Sequence, residues 1–229
     1  MPELSLKKVT YQYKNANRNA LNDVSCDFSM GMVTAIAGPS GSGKTTLLSV
    51  IAGLDTPTSG QVIFEGKDVS QLNLDHYRKE SVSLIFQGFH LFALLSALEN
   101  VCFPLELKKV SLKEAGTKAA ELLESVGIGE DKYNRYPANL SGGEQQRVAI
   151  ARALATGACI ILADEPTGNL DMENGKMVMD ILRRLAHEQG YTVIIVTHNP
   201  EIVAASDVVY QIVEGVLQQE ESGCDELKV

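Results

Sequence analysis

Gly38-Pro-Ser-Gly-Ser-Gly-Lys-Thr45 sets three glycines, a lysine and a hydroxyl in the order G-x-x-x-x-G-K-[ST]. Gly38, Gly41 and Gly43 allow backbone amides to wrap phosphate oxygens. Lys44 neutralises terminal phosphates, and the Thr45 hydroxyl is available to a magnesium ion. A second glycine-bearing stretch, Leu140-Ser-Gly-Gly-Glu-Gln-Gln-Arg147, opens with the capping box Ser141-x-x-Glu144. A helix starting at Ser141 points its first amides outward, and Gly142 and Gly143 leave room there for an anion at the positive end of the helix dipole. The same residues also describe a well-capped structural helix with two permissive glycines; the phosphate loop upstream favours the anion site. A third block is the apolar run Cys159-Ile-Ile-Leu-Ala163, which ends in Asp164-Glu165-Pro166. Asp164 would hold magnesium through its water shell, and Glu165 would position and deprotonate an attacking water. The plainer alternative is an acidic start to the next helix.

These groups need particular elements to hold them. Met32 to Ala37 is a short apolar run that reads as a buried strand, and Thr46 to Ala52 reads as a helix, so the glycine loop has the strand–loop–helix setting its motif requires. A buried strand from Cys159 to Ala163 delivers its carboxylates at its C-terminal end, the ligand edge of open parallel sheets. Pro166 forces a turn there, which lets adjacent Asp164 and Glu165 serve one site. Residues 4–37 read as strand-rich, with a polar turn at 15–19, and Gln61 to Phe64 as a further strand. Residues 88–157 read as mostly helical: Leu112 to Val126 has apolar positions at helical spacing, stopped by Gly127 and Gly129. Beyond Cys159 strands and helices alternate, as a parallel sheet demands, and the pattern Met177, Val178, Met179, Ile181, Leu182, Leu185 marks a helix packed on that sheet. The polar tail 220–229 is expected to fray.

A chain of 229 residues with 45% hydrophobic residues has enough apolar surface for one large core, or one core and a small lobe. No uninterrupted apolar stretch approaches the roughly 20 residues of a membrane span, and the N-terminus lacks the apolar segment of a signal peptide. A formal charge of −9 argues against a nucleic-acid partner, which needs clustered Lys and Arg. Cys26, Cys102, Cys159 and Cys224 have no metal-ligand spacing, so reduced thiols in the cytosol are expected.

The three blocks, in this order and spacing, resemble the nucleotide-binding subunits of ABC transporters along nearly the whole chain, from Leu4 to Leu217. The resemblance implies an α/β fold: a P-loop NTPase core with a mainly parallel sheet, an N-terminal antiparallel β subdomain and an inserted helical subdomain. The single domain would comprise a core at 1–87 and 158–219 and a helical lobe at 88–157. It implies ATP and Mg2+ as ligands, with Pro39, Ser40, Ser42 and Thr46 completing the phosphate loop and Thr45, Gln87 and Asp164 around the metal. Gln87, at the end of Val82 to Phe86, resembles the glutamine that senses magnesium and the attacking water. His198 resembles the switch histidine contacting the terminal phosphate. Asp171 resembles the carboxylate of a loop crossing to a partner subunit, and Tyr13 the aromatic that stacks on adenine. Val9, Tyr11 and Tyr13 would share one strand face, which leaves Tyr11 open for that role.

In this family's fold the glycine loop and the octapeptide lie too far apart to grip one nucleotide. Ser141, Gly142, Gly143 and Glu144 would therefore serve ATP bound by Lys44 of a second copy, in a head-to-tail dimer powering an integral membrane permease. The chain would be cytoplasmic and peripheral on the inner face of the membrane. Its Gly53–Gly60 and Asp164–Asp171 stretches most resemble lipoprotein-release, macrolide-export and antimicrobial-peptide-resistance systems. A close branch couples ATP instead to cell-wall or division machinery, so mechanical signalling stays open beside transport. One departure stands out: after Gln87 comes the apolar stretch Gly88-Phe-His-Leu-Phe-Ala-Leu-Leu95, without the proline often found there. Phe89 and Phe92 are expected either to fill the helical lobe or to receive a cytoplasmic helix of the permease.

Overall fold

In the computed structural model, which describes residues 4–14 and 16–219, the apolar runs form two sheets. Strands β1 (Leu4–Tyr11), β2 (Leu21–Phe28), β4 (Ser59–Phe64) and β5 (Lys67–Asp68) make an antiparallel sheet in the order β2-β1-β4-β5. Its register pairs Leu4 with both Phe28 and Phe64. The second sheet takes β3 (Val33–Ala37), β6 (Val82–Phe86), β7 (Ile160–Asp164), β8 (Thr192–Thr197), β9 (Val208–Val213) and β10 (Val216–Gln219) in the order β10-β9-β3-β8-β7-β6. All its pairings are parallel except β9 with β10. Ala37 lies beside Thr197, and Asp164 beside Val196 and Phe86, so the loops after β3, β6, β7 and β8 leave from one edge. This is the α/β P-loop NTPase architecture expected from the order of the motifs.

Alternation along the central strands divides the core in two. Ile36, Ile160, Leu162, Ile194 and Val196 face the antiparallel sheet and α1 (Lys44–Ile51). Val33, Ile161, Ala163, Val193 and Ile195 face the opposite way, toward α6 (Met172–Gln189). Such strands are buried on both faces, which is why they read as unbroken apolar runs. The short α2 (Leu74–Glu80) precedes β6, and α7 (Pro200–Ala204) follows β8.

Between β6 and β7 lie α3 (Ala97–Leu107), α4 (Leu112–Ser125) and α5 (Gly142–Ala155), packed through Val101, Leu105, Ala115, Ala119, Leu123 and Val148. Gly127, at φ 76, terminates α4 in the left-handed conformation a residue without Cβ adopts readily. Gly129 has a different task, opening the 3-10 turn at Glu130–Lys132. No helix among the described residues is long and apolar enough to cross a membrane.

Tyr11 and Tyr13 do not share a strand face, because β1 ends at Tyr11: the Gln12 amide turns to the Thr58 hydroxyl, and the Tyr13 carbonyl accepts from Ala16. Met177 belongs to α6 but is 44% exposed, while Val178, Met179, Ile181, Leu182 and Leu185 are buried. The expected turn at 15–19 includes Asn15, and the tail 220–229 with Cys224 follows Gln219; Asn15 and 220–229 lie outside the described residues. Cys26 and Cys102 are buried free thiols, and the Cys159 thiol lies 3.7 Å from the Ser81 carbonyl.

Candidate active site

The glycine loop leaves β3 and becomes the first turn of α1. Gly43, the N-cap residue, has φ 108, and a Cβ there would stand 2.5 Å from the Ala20 carbonyl, so only glycine closes this turn. A Cβ on Gly38 would collide with the Ile212 carbonyl of β9. Lys44 is buried, and its ammonium donates to the loop's own Gly38 and Pro39 carbonyls at 2.7 and 2.9 Å. These acceptors are neutral dipoles. An anion cupped by the loop would supply the charge that a buried ammonium lacks there.

Asp164 ends β7 and accepts from the Thr45 hydroxyl at 3.2 Å. Burial, reinforced by the neighbouring Glu165, raises its pKa against the opposing effects of Thr45 and Lys44. A divalent cation would reverse that balance. The Thr45 hydroxyl, the Asp164 carboxylate and the Gln87 amide line one cleft and offer the oxygen donors a hard cation prefers. Glu165 turns away from the strand at φ 47, a costly conformation for a side chain of its kind. The turn brings its carboxylate into the same cleft, where Oε1 meets His198 Nδ1 at 2.6 Å and Oε2 accepts from the Thr197 hydroxyl at 2.9 Å.

Gln87 follows β6. Its Nε2 donates to Asn169 Oδ1 at 3.3 Å, and Asn169 returns a bond to the Gln87 carbonyl at 2.9 Å. Gly168 stands so close that a Cβ would lie 2.8 Å from Gln87 Nε2. Tyr13 reaches in from beyond β1, half exposed, with its hydroxyl 2.8 Å from that of Thr46. Tyr11 turns instead to Asp55 at 3.0 Å and packs against the core.

The cleft so formed has a volume of about 780 Å³, within the usual range for small-molecule sites. Tyr13, Pro39, Ser40, Gly41, Gly43, Lys44, Thr45, Thr46, Gln87, Asp164, Glu165 and His198 line it; Gly38 and Ser42 belong to the loop wall behind. Ala20 also lines it, and Thr197 bonds Glu165. Neither belongs to a recognisable pattern, because each contributes through a fold contact remote in sequence.

The octapeptide lies outside this cleft, as does Asp171. Ser141 caps α5: its hydroxyl accepts from the Glu144 amide at 3.3 Å, and Glu144 accepts from the Ser141 amide at 2.7 Å. Glu144 also pairs with Lys132 at 2.8 Å. Together these hold its pKa down at about 2, the Lys132 bond being the largest cause. Glu144 thus builds the helix end that Gly142 and Gly143 present. Asp171 caps α6 by accepting from the Asn174 amide at 2.8 Å.

A parallel sheet with a glycine loop, lysine and strand-end carboxylates at one edge defines a P-loop nucleotide hydrolase. A family model described as ABC transporter matches residues 21–168. An uncharacterized ABC transporter ATP-binding protein of Thermotoga maritima is 44% identical over 211 residues, 91% of this chain and 89% of that protein. The macrolide export ATP-binding/permease protein MacB of Campylobacter jejuni is 46% identical over 206 residues, covering 88% of this chain and 32% of MacB. A dimeric ATP-binding cassette in a post-hydrolysis state, bound to ADP and Pi, has a TM-score of 0.87 and 39% identity, covering 95% of this chain and 98% of that one. The chain belongs to the ABC transporter family as an ATP-binding cassette, and it is an ATPase.

Proposed function

We propose that this cassette energises a membrane permease by closing head to tail on a second copy of itself, with one ATP at each of two composite sites. The observation carrying this reading is the separation, within one chain, of the Lys44 cleft from the Ser141–Gly143 helix end. Each is shaped for phosphate, and they do not line a common cavity. A symmetric pair would give each nucleotide both. That a similar cassette is dimeric when bound to ADP and Pi supports pairing at the nucleotide. Residues 1–87 and 158–219 would be the ATPase core and 88–157 the lobe bearing the helix end.

In the composite site Lys44 and the loop amides bind the phosphates, Tyr13 stacks on the base, and Thr45, Asp164 and Gln87 would hold Mg2+. Bound there, the ion would supply positive charge that stabilises phosphoryl transfer. Glu165 takes the proton of the attacking water through Oε1, the oxygen that His198 otherwise holds, while the Thr197 hydroxyl fixes Oε2. His198, 71% exposed at its side chain, is free to turn toward the terminal phosphate as Glu165 exchanges its imidazole for water. The partner's Ser141–Gly143 amides, with Glu144 bracing the cap, and Asp171 complete the enclosure.

The permease would hold the chain on the inner face of the membrane. The similarity to MacB, a macrolide export protein, supports export of a drug-like substrate, with a peptide or lipoprotein as the other candidates. Replacing Glu165 with Gln removes the proton acceptor and keeps the loop. At saturating ATP and magnesium the variant is expected to sediment as a stable dimer. A variant that remains monomeric while binding ATP would overturn the head-to-tail reading.

A further inference from the structure

The two surfaces assigned above to a partner's nucleotide meet inside one chain, and one side chain joins them. Asn174 lies in the first turn of α6. Its backbone amide donates to Asp171 Oδ1, and its Nδ2 to Asp171 Oδ2, both at 2.8 Å. Its Oδ1 accepts from Arg147 Nη1 of α5 at 3.2 Å. A guanidinium on one side and a carboxylate on the other fix which end of the amide is oxygen.

The same side chain lies over Gly143. A Cβ at position 143 would collide with Asn174 Oδ1 and stand 2.8 Å from Asn174 Cβ. Gly143 is helical and has no need of a left-handed backbone, so its missing side chain is a matter of space, and Asn174 occupies that space. The chemistry admits few substitutes. Aspartate would accept from Arg147 but set a second carboxylate against Asp171, whose pKa the Asn174 bonds hold below the ordinary range. Alanine would lose the Arg147 bond and the side-chain bond to Asp171, keeping only the backbone amide's bond to Asp171. Asparagine donates one way and accepts the other at no net charge.

We propose that Asn174 is a positioning residue that holds the Ser141–Gly143 helix end and the Asp171 loop at one fixed spacing, so that both reach a second copy's nucleotide together. The inference rests on the head-to-tail reading. Two contacts carried on one rigid unit form without a separate ordering cost for each. Asn174 does not line the nucleotide cleft, so its effect falls on dimer closure rather than on ATP binding by one chain.

The test compares Glu165→Gln with Glu165→Gln/Asn174→Ala and Glu165→Gln/Asn174→Asp by sedimentation in ATP and magnesium, alongside ATP affinity of the monomers at low protein concentration. Both double variants are expected to dimerise roughly tenfold more weakly than Glu165→Gln, with monomer ATP affinity kept to within about twofold. Undiminished dimerisation would overturn the positioning role and leave the head-to-tail reading standing. Loss of monomer ATP affinity in step with dimerisation would also overturn it, since that marks a general structural defect. A monomeric Glu165→Gln parent that binds ATP would overturn the head-to-tail reading and this inference with it.

Discussion

Tyr11 and Tyr13 are chemically alike, but the end of β1 between them divides their roles. Tyr11 has its hydroxyl on Asp55 and its ring against the core, and burial with that carboxylate raises its pKa. Tyr13 stands 49% exposed at the cleft, edge-on to the Tyr11 ring at 5.0 Å. Given the role proposed for Tyr13, its removal would take a stacking face from the adenine and little from the fold. Tyr13→Ala is expected to weaken ATP binding by about 1–2 kcal/mol, a typical base-stacking contribution, while stability stays within about 0.5 kcal/mol. Tyr11→Ala should do the reverse, costing about 1–3 kcal/mol of stability through lost packing and an unpaired Asp55. Calorimetric titration with ATP and urea melts separate the two effects, and equal losses of ATP affinity would refute the assignment. Strand alternation left the two tyrosines equivalent because the turn at Gln12 depends on Thr58, remote in sequence. Lys44, Thr45, Asp164 and Glu165 were legible because their loop, strand and turn are each local.

At the scale of elements, legibility follows the range of the interactions that make each one. The capping box of α5 could be read from four consecutive residues and is present. The Lys132–Glu144 pair could not, since Lys132 reaches the cap only after the 3-10 turn at Glu130–Lys132 folds back. That pair has a thermodynamic consequence. Glu144 is lowered from 4.5 to about 2, so it adds stability that is fully present above its unfolded pKa and is lost as the pH falls through the folded one. The affected window is from about pH 4.5 down to about 2. The side chains are 27% and 15% exposed, so the gain is about 1–3 kcal/mol after allowance for solvent. Lys132→Met should weaken the fold near neutral pH and flatten its stability profile between pH 7 and pH 3 relative to the unsubstituted protein. Urea unfolding at both pH values reads this directly. Profiles that run parallel would show that Lys132 does not set the Glu144 titration.

At the scale of the whole molecule, the sheet edge that gathers the nucleotide groups also sends the chain toward a second surface. From Gln87 in the cleft it runs through Phe89 and His90, whose carbonyls accept from Arg152 of α5, to Phe92. Phe92 packs on Phe103 with ring centroids 4.8 Å apart, and the Arg152 guanidinium lies 5.6 Å from the Phe92 ring centroid. These rings, with Phe86, Pro104 and Leu107, line a groove of about 650 Å³. Arg78, Lys79, Lys108 and Arg152 also line it with Glu80; Glu80 pairs with Lys108 and Asp75 with Arg78, so the margin is basic only on balance, on a chain of formal charge −9. Phe89 is not among the groove residues; it lies near Gly142, contrary to the pairing of the two phenylalanines expected from sequence. That division follows from the left-handed backbone at Phe89 and His90, φ 59 and 48, which aromatic spacing alone does not reveal. An apolar floor with a basic margin suits a short permease helix carrying apolar and acidic residues. Phe92→Glu tests this cleanly. The new carboxylate lies within reach of Arg152, which keeps the segment anchored, while the groove loses its apolar floor and gains a charge that repels an acidic helix. Co-purification with the permease is expected to fall at least about tenfold with ATP binding by the isolated chain unchanged. Retention of both would remove this groove as the permease seat, and loss of both would mean that the substitution had reached Gln87 and the cleft.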